Sequence, residues 1–452
     1  MDSLSKIIKA HPLVYVTRDI ERATGLEPGN GYFIITNKTP YSEKIQVEFP
    51  ENVILISEKK VADHKDGEVD DSTLLDTHEL LSHADSRPIL EMAKKKDGYI
   101  LVFKNTKKIE DICKGMGLKI LNPSAELSEK VENKISQIEW LGELSSILPA
   151  FEVKKASEIV WRKGASGGKN EKDGEQKMIV QWGRGHTGDS TILINSKKEL
   201  TALQTKFPER MAKVTEFING PVFTSNITVG KDKILYGNIS YQITGLLPYT
   251  DSPFATIGND WSLTHSLLTE RLLEQYEGIA TKVAEKMQKD GWLGLFGIDV
   301  IYDTEKETLY LLEINARQPA STTFESELQT ENSTFGVTGS TIFETHLFAL
   351  LGLPMPEKII EINDGSQIIQ RVTESLSKKF EKMSKKGHGG ERFDFIEFEA
   401  KKVESAEFRV INYTNTTHNA DLQRIQCSRG IMETHNKLNE RGLRISELLS
   451  DF

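Results

Sequence analysis

Cysteine is scarce in this sequence of 452 residues, and long apolar runs and an excess of basic residues are missing. Only Cys113 and Cys427 are present, so no disulfide framework is predicted and a reducing cytoplasm is the expected compartment. The first 30 residues carry charged side chains at short intervals, so we expect neither a secretory signal nor a membrane anchor. The formal net charge of -10 argues against nucleic acid or an acidic membrane surface as the main partner.

What is present is typical of a large soluble protein. Hydrophobic residues make up 38% and charged residues 27% of the chain, and this length predicts two to four domains at roughly 100 to 200 residues each. In the first 125 residues, short β-branched runs alternate with polar helical stretches, which predicts a βαβ domain with a mainly parallel sheet. The predicted strands are 13–16, 31–35, 52–56, 99–103 and 118–121, and a short helix is predicted over 109–116.

The Asn122-Pro123 pair predicts the end of this first domain. After it, apolar residues recur at helical spacing over 131–148, and a polar, glycine-rich stretch over 163–175 predicts a loop. Further predicted elements are strands over 177–181, 191–194, 213–218, 224–229 and 234–242, followed by a long helix over 267–288. Residues 354–452 are more polar, and we expect a small α+β appendage with a terminal helix near 437–449.

Two apolar strands near residue 300 each contain an oxygen-bearing side chain where a core strand would carry valine or isoleucine. Asp299 interrupts the run 295–301, and Glu313 interrupts the run 309–314. If the strands pair as an antiparallel hairpin, these carboxylates lie on one face, with Asn315 and Arg317 following by period two. Oxygen ligands beside a guanidinium favour Mg²⁺ and phosphate, whereas the alternative is a solvated surface hairpin.

A second glycine-rich element lies between two predicted strands, over residues 181–191. Its glycines, hydroxyls and Arg184 supply close backbone approach, N–H donors and positive charge, as a polyphosphate requires. A glycine-rich hairpin without a ligand has the same composition, so both interpretations remain open. His186 can donate to phosphate or act in acid–base chemistry, although a loop histidine is also common as plain polar surface.

The order of these elements resembles the ATP-grasp superfamily, over roughly residues 95 to 350. Its most specific part is the Glu313-x-Asn315-x-Arg317 run with Asp299 placed 14 positions before Glu313, as in the carboxylate-amine ligases and the biotin-carboxylase-like members. The resemblance implies an ATP-grasp fold of mixed α/β and α+β class. The implied domains are an N-terminal α/β domain over 1–125, a first ATP-grasp subdomain over 126–222, a second with the metal site over 223–353, and a C-terminal appendage over 354–452.

The resemblance also implies roles for individual residues. Asp299, Glu313 and Asn315 are expected to hold Mg²⁺, with Mn²⁺ as an alternative, against the phosphates of ATP, while Arg317 steadies an acyl-phosphate intermediate. Lys134 matches the first ATP-binding lysine, and a solvent-facing helical lysine is the alternative. The residues expected to bind the nucleotide are Lys134, Gln181, Arg184, Gly185, His186, Thr187, Gly188 and the hinge residues Glu216, Phe217 and Ile218, whose main chain would read adenine.

Two positions depart from the family pattern. Gln181 stands where many members have a second lysine, so Arg184 or a lysine of the loop 163–175 is expected to substitute. No acid that would bind ribose is evident in residues 219–222. Polar residues near the expected cleft are candidate substrate contacts, with structural turns as the alternative: Gln242, Asn259, Gln318, Ser321, Thr322 and Thr323.

We therefore expect a cytoplasmic, ATP-dependent ligase that joins a small carboxylate to an amine through an acyl phosphate and releases ADP and phosphate. The amine or carboxylate partner can be an amino acid or a peptide. Two alternatives remain: a biotin-carboxylase-like subunit, and a nucleotide-binding module without turnover, for which Gln181 is the best argument. No nucleic acid or membrane partner is expected, and the last hundred residues are expected to form a lid or a homodimer contact.

Overall fold

A computed structural model of the chain describes residues 2–57, 74–161, 177–183, 191–385, 407–413, 415 and 417–449. The helices are α1 Asp2–Ala10, α2 Pro40–Glu48, α3 Thr77–Ser82, α4 Arg87–Lys95, α5 Lys107–Met116, α6 Ala125–Glu132, α7 Ser136–Leu141, α8 Lys197–Lys206, α9 Thr264–Leu267, α10 Glu270–Lys289, α11 Thr322–Thr334, α12 Ile342–Leu350, α13 Glu374–Lys385 and α14 Glu440–Leu449. The strands are β1 Leu13–Val16, β2 Tyr32–Asn37, β3 Val53–Ile56, β4 Tyr99–Val102, β5 Lys119–Ile120, β6 Phe151–Lys155, β7 Met178–Trp182, β8 Thr191–Ile194, β9 Met211–Glu216, β10 Val222–Val229, β11 Ile234–Tyr236, β12 Ser240–Thr244, β13 Thr256–Asp260, β14 Gly294–Asp303, β15 Thr308–Asn315, β16 Ser366–Arg371, β17 Arg409–Asn412, β18 Asp421–Cys427, β19 Met432–Thr434 and β20 Lys437–Leu438.

The N-terminal region is the predicted parallel α/β domain. Its five strands lie in the order β3-β2-β1-β4-β5 and pair in parallel. Both faces of β1 are buried: Tyr15 contributes to one apolar cluster, and Val14 and Val16 contribute to another. Burial on both faces is what the nearly continuous apolar runs of a parallel sheet require. The predicted fold class is confirmed here.

The segment 131–148 is the clearest difference from the predicted secondary structure. The expected single helix is divided into α6, α7 and a 3₁₀ helix over Gly142–Ile147. The Asn133 side-chain oxygen accepts hydrogen bonds from the N–H groups of Ile135 and Ser136, so it caps the start of α7 and breaks the helical ladder. Gly142 then turns the chain with a φ of 58°. Lys134 consequently lies in the connection between two helices.

A small antiparallel sheet follows, in the order β6-β9-β7-β8. One face packs on α8, because Val180 and Ala212 join Leu200 and Leu203 in one apolar cluster. Side chains alternate along a strand, so the opposite face presents Gln181 and its neighbours on β9. The predictions included neither β6 nor α8.

The rest of the chain is organised around one sheet of nine strands. Its order is β15-β14-β10-β12-β13-β16-β18-β17, with β11 paired to β10. Apolar side chains of α10 pack on one face together with Phe223 and Ile298, while Asn226 and Thr228 on the other face hydrogen-bond to side chains of α11 and α12. Strands β16 to β18 extend this sheet, so residues after 354 continue the same layer and a single sheet crosses the boundary proposed there.

One strand prediction needs correction within this sheet, and one strand was not predicted. The expected strand 234–242 is two strands, β11 and β12, and the Gly237 N–H bonds to the Asn226 carbonyl between them. Residues 258–260, interpreted as polar cleft residues or a turn, belong to strand β13 between β12 and β16. The hairpin β14–β15, the helix α10 and the terminal helix α14 lie where the sequence predicts them. None of the helices that the structure describes is both long and apolar enough to span a membrane.

Candidate active site

The hairpin β14–β15, named here the carboxylate hairpin, brings the two predicted acids together. Asp299 pairs directly with Glu313, and Gly297 pairs with Asn315. The register shifts immediately after Asp299, a bulge of the kind that re-aims side chains beside functional sites. Asn315 Nδ2 donates to Asp299 Oδ2 across 3.4 Å. The predicted hairpin and its shared polar face are therefore present.

Asp299 lies in an environment that disfavours its ionised form. Burial, and after it the charge of the neighbouring Glu313, raises the pKa of its carboxyl to about 6, although hydrogen bonds from Thr224 and Gln242 and the charge of Arg317 act in the opposite direction. Two carboxylates pressed together in this way repel each other unless a cation lies between them. A divalent cation at this position would relieve the repulsion.

Lys134 reaches the carboxylate hairpin from the connection between α6 and α7. Its Nζ lies 3.3 Å from Glu313 Oε1, and its side chain is only 6% exposed. The Lys134 main-chain N–H bonds to the Gly183 carbonyl at the end of β7, which joins this connection to the small sheet. The alternative of a solvent-facing helical lysine is therefore wrong, because the side chain is buried against the predicted metal site.

A second buried lysine, which no sequence motif indicated, lies in the same place. Lys213 is 1% exposed and lies directly opposite Gln181 in the β7–β9 pairing. Burial, and after it the charge of Lys134, lowers the pKa of Lys213 to about 8, although the charge of Glu313 opposes the shift. The only sequence signal was a charged residue between the apolar Ala212 and Val214 in a predicted strand. The partner of that strand was not evident from the sequence.

Arg317 follows the end of β15 and pairs with a residue that the sequence analysis did not select. Its Nη1 contacts Glu132 at the end of α6, and Lys104 contacts the same carboxylate. Burial alone would raise the pKa of Glu132, but Arg317 and Lys104 hold it below its ordinary value. The Ser128 hydroxyl donates to the Ala316 carbonyl across 2.6 Å, which ties α6 to the chain at Arg317.

The predicted substrate contacts separate into three groups. Gln242 hydrogen-bonds to Asp299 and so lies beside the carboxylate hairpin. Gln318 and Thr323 both bond to the Arg22 carbonyl, and Tyr15 donates to Gln318, so these residues join the N-terminal domain to the site.

The remaining three contacts lie within the large sheet and its helices. Asn259 donates to Ser240 and accepts from Gln367 within the sheet. Ser321 accepts from Asn226. The Thr322 hydroxyl is buried and has no hydrogen-bond partner among the residues that the structure describes.

The hinge predicted to read adenine lies at the end of β9. Glu216 is its last strand residue, and Phe217 and Ile218 follow it. The Phe217 N–H donates to the Lys177 carbonyl across 3.2 Å, and its ring makes an edge contact with Phe254. An adenine contact through the Phe217 N–H would have to displace that bond.

The glycine loop between β7 and β8 is described only at its ends. Gln181 donates to the Thr191 hydroxyl across 3.2 Å. The candidate phosphate-binding residues Arg184, Gly185, His186, Thr187 and Gly188 lie outside the described residues, as does the loop 163–175 that was expected to supply a lysine. Their predicted roles stay predictions.

The donor set at the carboxylate hairpin fits Mg²⁺. Within the described ranges, no group of three or more His, Cys, Asp or Glu side chains is placed to enclose a metal. The hairpin instead offers two carboxylates and one amide oxygen. Mg²⁺ is commonly held by one or two carboxylates together with substrate phosphates, so this smaller set suits it.

The family model described as an ATP-grasp domain matches residues 131–321. Carboxyaminoimidazole ribonucleotide synthase from Aspergillus clavatus, complexed with ATP, has a TM-score of 0.61 at 13% identity, and the match covers 98% of each chain. N5-carboxyaminoimidazole synthetase from Staphylococcus aureus has a TM-score of 0.56 at 12% identity, covering 97% of this chain and 96% of that one.

The biotin carboxylase domain of Hydrogenobacter thermophilus 2-oxoglutarate carboxylase has a TM-score of 0.58 at 12% identity, covering 93% of this chain and 86% of that one. These three likenesses are ones of fold. No match was found among curated proteins. This chain therefore has the ATP-grasp fold. Residues 131–321 are its ATP-grasp domain.

Proposed function

We propose that this protein is an ATP-dependent ligase that joins a carboxylate to an amine through an acyl phosphate. The observation that carries the proposal is the Asp299–Glu313 pair of the carboxylate hairpin, with Lys134 against Glu313 and Arg317 at the strand end. Two acids placed for a metal, a buried lysine and a buried guanidinium are the groups that phosphoryl transfer to a carboxylate requires.

The proposed reaction has two steps. A carboxylate oxygen of the substrate attacks the γ-phosphorus of ATP, and the bond between that phosphorus and the β,γ-bridging oxygen breaks, which releases ADP. The amine nitrogen then attacks the acyl carbon of the acyl phosphate. Inorganic phosphate leaves, the nitrogen loses a proton, and a C–N bond remains.

Each part of the site has a task in this sequence. Asp299, Glu313 and Asn315 would hold Mg²⁺, which supplies charge compensation at the transferring phosphoryl group. Lys134 presents a positive charge to the nucleotide phosphates. Arg317 is oriented by Glu132 and offsets the charge on the acceptor oxygens, since a fixed guanidinium in a buried site costs little reorganisation as charge develops.

The test is ADP release from ATP and Mg²⁺ with pairs drawn from a panel of small carboxylates and amines, including amino acids and peptides. Stimulated release of ADP and phosphate by at least one pair, with a matching amide product by mass, is the expected result. Release of AMP would show that the phosphoryl transfer is assigned to the wrong phosphorus. Tight ATP binding without stimulation by any pair would favour a nucleotide-binding module without turnover.

A second candidate has bicarbonate as the carboxylate. It is favoured by the likeness over nearly the whole chain to carboxyaminoimidazole ribonucleotide synthases and to a biotin carboxylase domain that was solved with bicarbonate. Bicarbonate therefore belongs in the panel, with an aminoimidazole ribonucleotide and free biotin as acceptors. Stimulation by bicarbonate with one of these acceptors, and by no other carboxylate, would replace the amide-forming proposal with a carboxylating one.

We further propose a cytoplasmic location and a homodimer as the state in solution. The biotin carboxylase domain of Hydrogenobacter thermophilus was solved as a dimer, and this chain shares its fold. Light scattering across a range of protein concentrations tests the proposed dimer, and a monomer mass throughout that range would exclude it.

A further inference from the structure

Two buried lysines approach the carboxylate hairpin from different elements of the chain. Lys134 comes from the connection between α6 and α7, and Lys213 comes from the inner strand β9 of the small sheet. These two residues are named here the lysine pair. Only 4% of Lys134 and 1% of Lys213 is exposed, so both ammonium groups are largely removed from water. Burying a lysine is costly unless an anion accompanies it.

The anions near the lysine pair are too few to balance both ammonium groups. Glu313 lies against Lys134 and also acts on Lys213 through its charge. Glu132 is occupied by Arg317 and Lys104. Among the residues that the structure describes, no carboxylate lies within ion-pair distance of Lys213. A divalent cation on Asp299 and Glu313 would take up the one carboxylate that the lysine pair shares, and a further anion would then be needed.

The position of Lys213 in the sheet directs it toward that anion. Lys213 stands opposite Gln181, and Gln181 stands opposite Thr191, so the three side chains form one row across β9, β7 and β8. The reverse face of these strands is apolar and packs on α8. Because Lys213 interacts electrostatically with Lys134 and Glu313, the row lies on the face that is turned toward Lys134 and the carboxylate hairpin.

We infer that Lys213 is a phosphate-binding residue of the nucleotide site and supplies, from strand β9, the positive charge that the uncharged Gln181 on β7 does not. The ligand class is a nucleoside polyphosphate, held between Lys134, Lys213 and the metal on the carboxylate hairpin. A bound phosphate would favour the protonated form of Lys213. The inference rests on the proposed function for its nucleotide but makes no claim about the carboxylate or the amine.

The test compares nucleotide binding by wild type and three variants of the full-length chain, measured by calorimetry with Mg²⁺ and a non-hydrolysable ATP analogue. Lys213→Gln is expected to weaken binding about 10- to 100-fold, as for a lost charged hydrogen bond. Lys198→Gln changes an exposed lysine on α8 in the same way and is expected to leave binding unchanged.

The third variant, Gln181→Lys combined with Lys213→Gln, moves the charge to the facing strand position and is expected to restore most of the affinity. Rescue by this double variant is a result that a merely structural lysine would not produce.

A second readout separates a phosphate contact from damage to the fold. Adenosine, which has no phosphate, is expected to compete for the site equally well in wild type and in Lys213→Gln. If adenosine binding falls as much as ATP binding, or if ATP binding is unchanged, Lys213 does not bind phosphate.

These outcomes are distinct from those of the ligase proposal. Wild-type ATP binding that depends on Lys213, without turnover by any substrate pair, would retain this inference and remove the ligase. Turnover that does not change in Lys213→Gln would retain the ligase proposal and remove this inference. A wild-type chain that binds no ATP would overturn both proposals.

Discussion

Lys134 Nζ lies 3.3 Å from Glu313 Oε1, so the connection between α6 and α7 is joined directly to the carboxylate hairpin. Glu313 therefore contacts Lys134 and is also the cross-strand partner of Asp299. Glu313 balances a buried lysine and is proposed to bind the metal, so the loss of its charge would disturb both interactions. Substitution of Glu313 is therefore the most direct test of the site.

Glu313→Gln is expected to lower ADP formation about 100-fold or more while the fold is retained, because the amide keeps the shape but not the charge of a metal ligand. Glu305→Gln, an exposed change of the same kind in the turn of the same hairpin, is expected to behave as wild type. Steady-state ADP release and circular dichroism on both variants provide the comparison. Wild-type turnover by Glu313→Gln would remove Glu313 from the metal site.

Arg317→Lys is expected to lower kcat about 100- to 1,000-fold with a much smaller effect on the KM for ATP, since the planar guanidinium is proposed to act on the acceptor oxygens rather than on nucleotide binding. Arg271→Lys is the matched control, because Arg271 is exposed and pairs with Glu307 in the hairpin turn. Kinetics with saturating carboxylate and amine separate kcat from KM. A change confined to the KM for ATP would instead assign Arg317 to the nucleotide.

Tyr413→Phe is expected to destabilise the protein by about 1–3 kcal/mol, because it leaves buried polar groups unpaired. The Tyr413 hydroxyl donates to Glu21 of the N-terminal domain across 2.7 Å and accepts from Arg424 Nε across 2.9 Å. The exposed Tyr236→Phe serves as the control. Denaturant unfolding monitored by fluorescence gives both free energies, and equal values for the two variants would show that this link contributes nothing to stability.

His346 is expected to make folding pH-dependent. Burial lowers its pKa to about 3 from an ordinary value near 6.5, while its Nδ1 accepts a hydrogen bond from the Leu295 N–H. Below about pH 6.5, His346 is therefore protonated in the unfolded chain but not in the folded chain. Its contribution to the free energy of unfolding is fully present above about pH 6.5 and falls by about 1.4 kcal/mol for each pH unit below it.

The variant His346→Asn keeps an acceptor for Leu295 but does not titrate. The free energy of unfolding of wild type minus that of the variant is expected to fall with decreasing pH between about pH 6.5 and pH 4.5. This difference cancels the contributions of other groups, such as the buried Glu325, whose pKa of about 7 acts in the opposite direction. A pH-independent difference would exclude His346 as the source.

Much of the fold was predictable where the pattern is local. The strands of the N-terminal sheet, the helix α10 and the carboxylate hairpin follow from short alternating or helical repeats, and their predicted positions agree with the structure within a few residues. The division at Asn133 was not predicted, because a single side-chain cap outweighed an otherwise continuous helical pattern. Local propensity yields to such contacts when the chain has another way to bury the same apolar residues.

The site, like the fold, was predictable only where its residues lie close together in the sequence. Asp299, Glu313, Asn315 and Arg317 are near one another in the chain, so strand periodicity alone places them together. Glu132 is 185 residues from Arg317, and no local pattern relates the two. The continuity of the large sheet depends on contacts of the same kind, such as that between Gln367 and Asn259, which are 108 residues apart.

The sequence by itself therefore determined the parallel N-terminal domain and the carboxylate hairpin with its polar residues, because residues close in the chain share one strand or helix face. Only the tertiary structure decided which cations meet those acids. Lys134 and Lys213 are buried beside Glu313 because separate elements of the chain pack there, and the opposed positions of Lys213 and Gln181 depend on strand pairing. Strand register is set by packing between segments that are distant in the sequence, so no local sequence pattern predicts it.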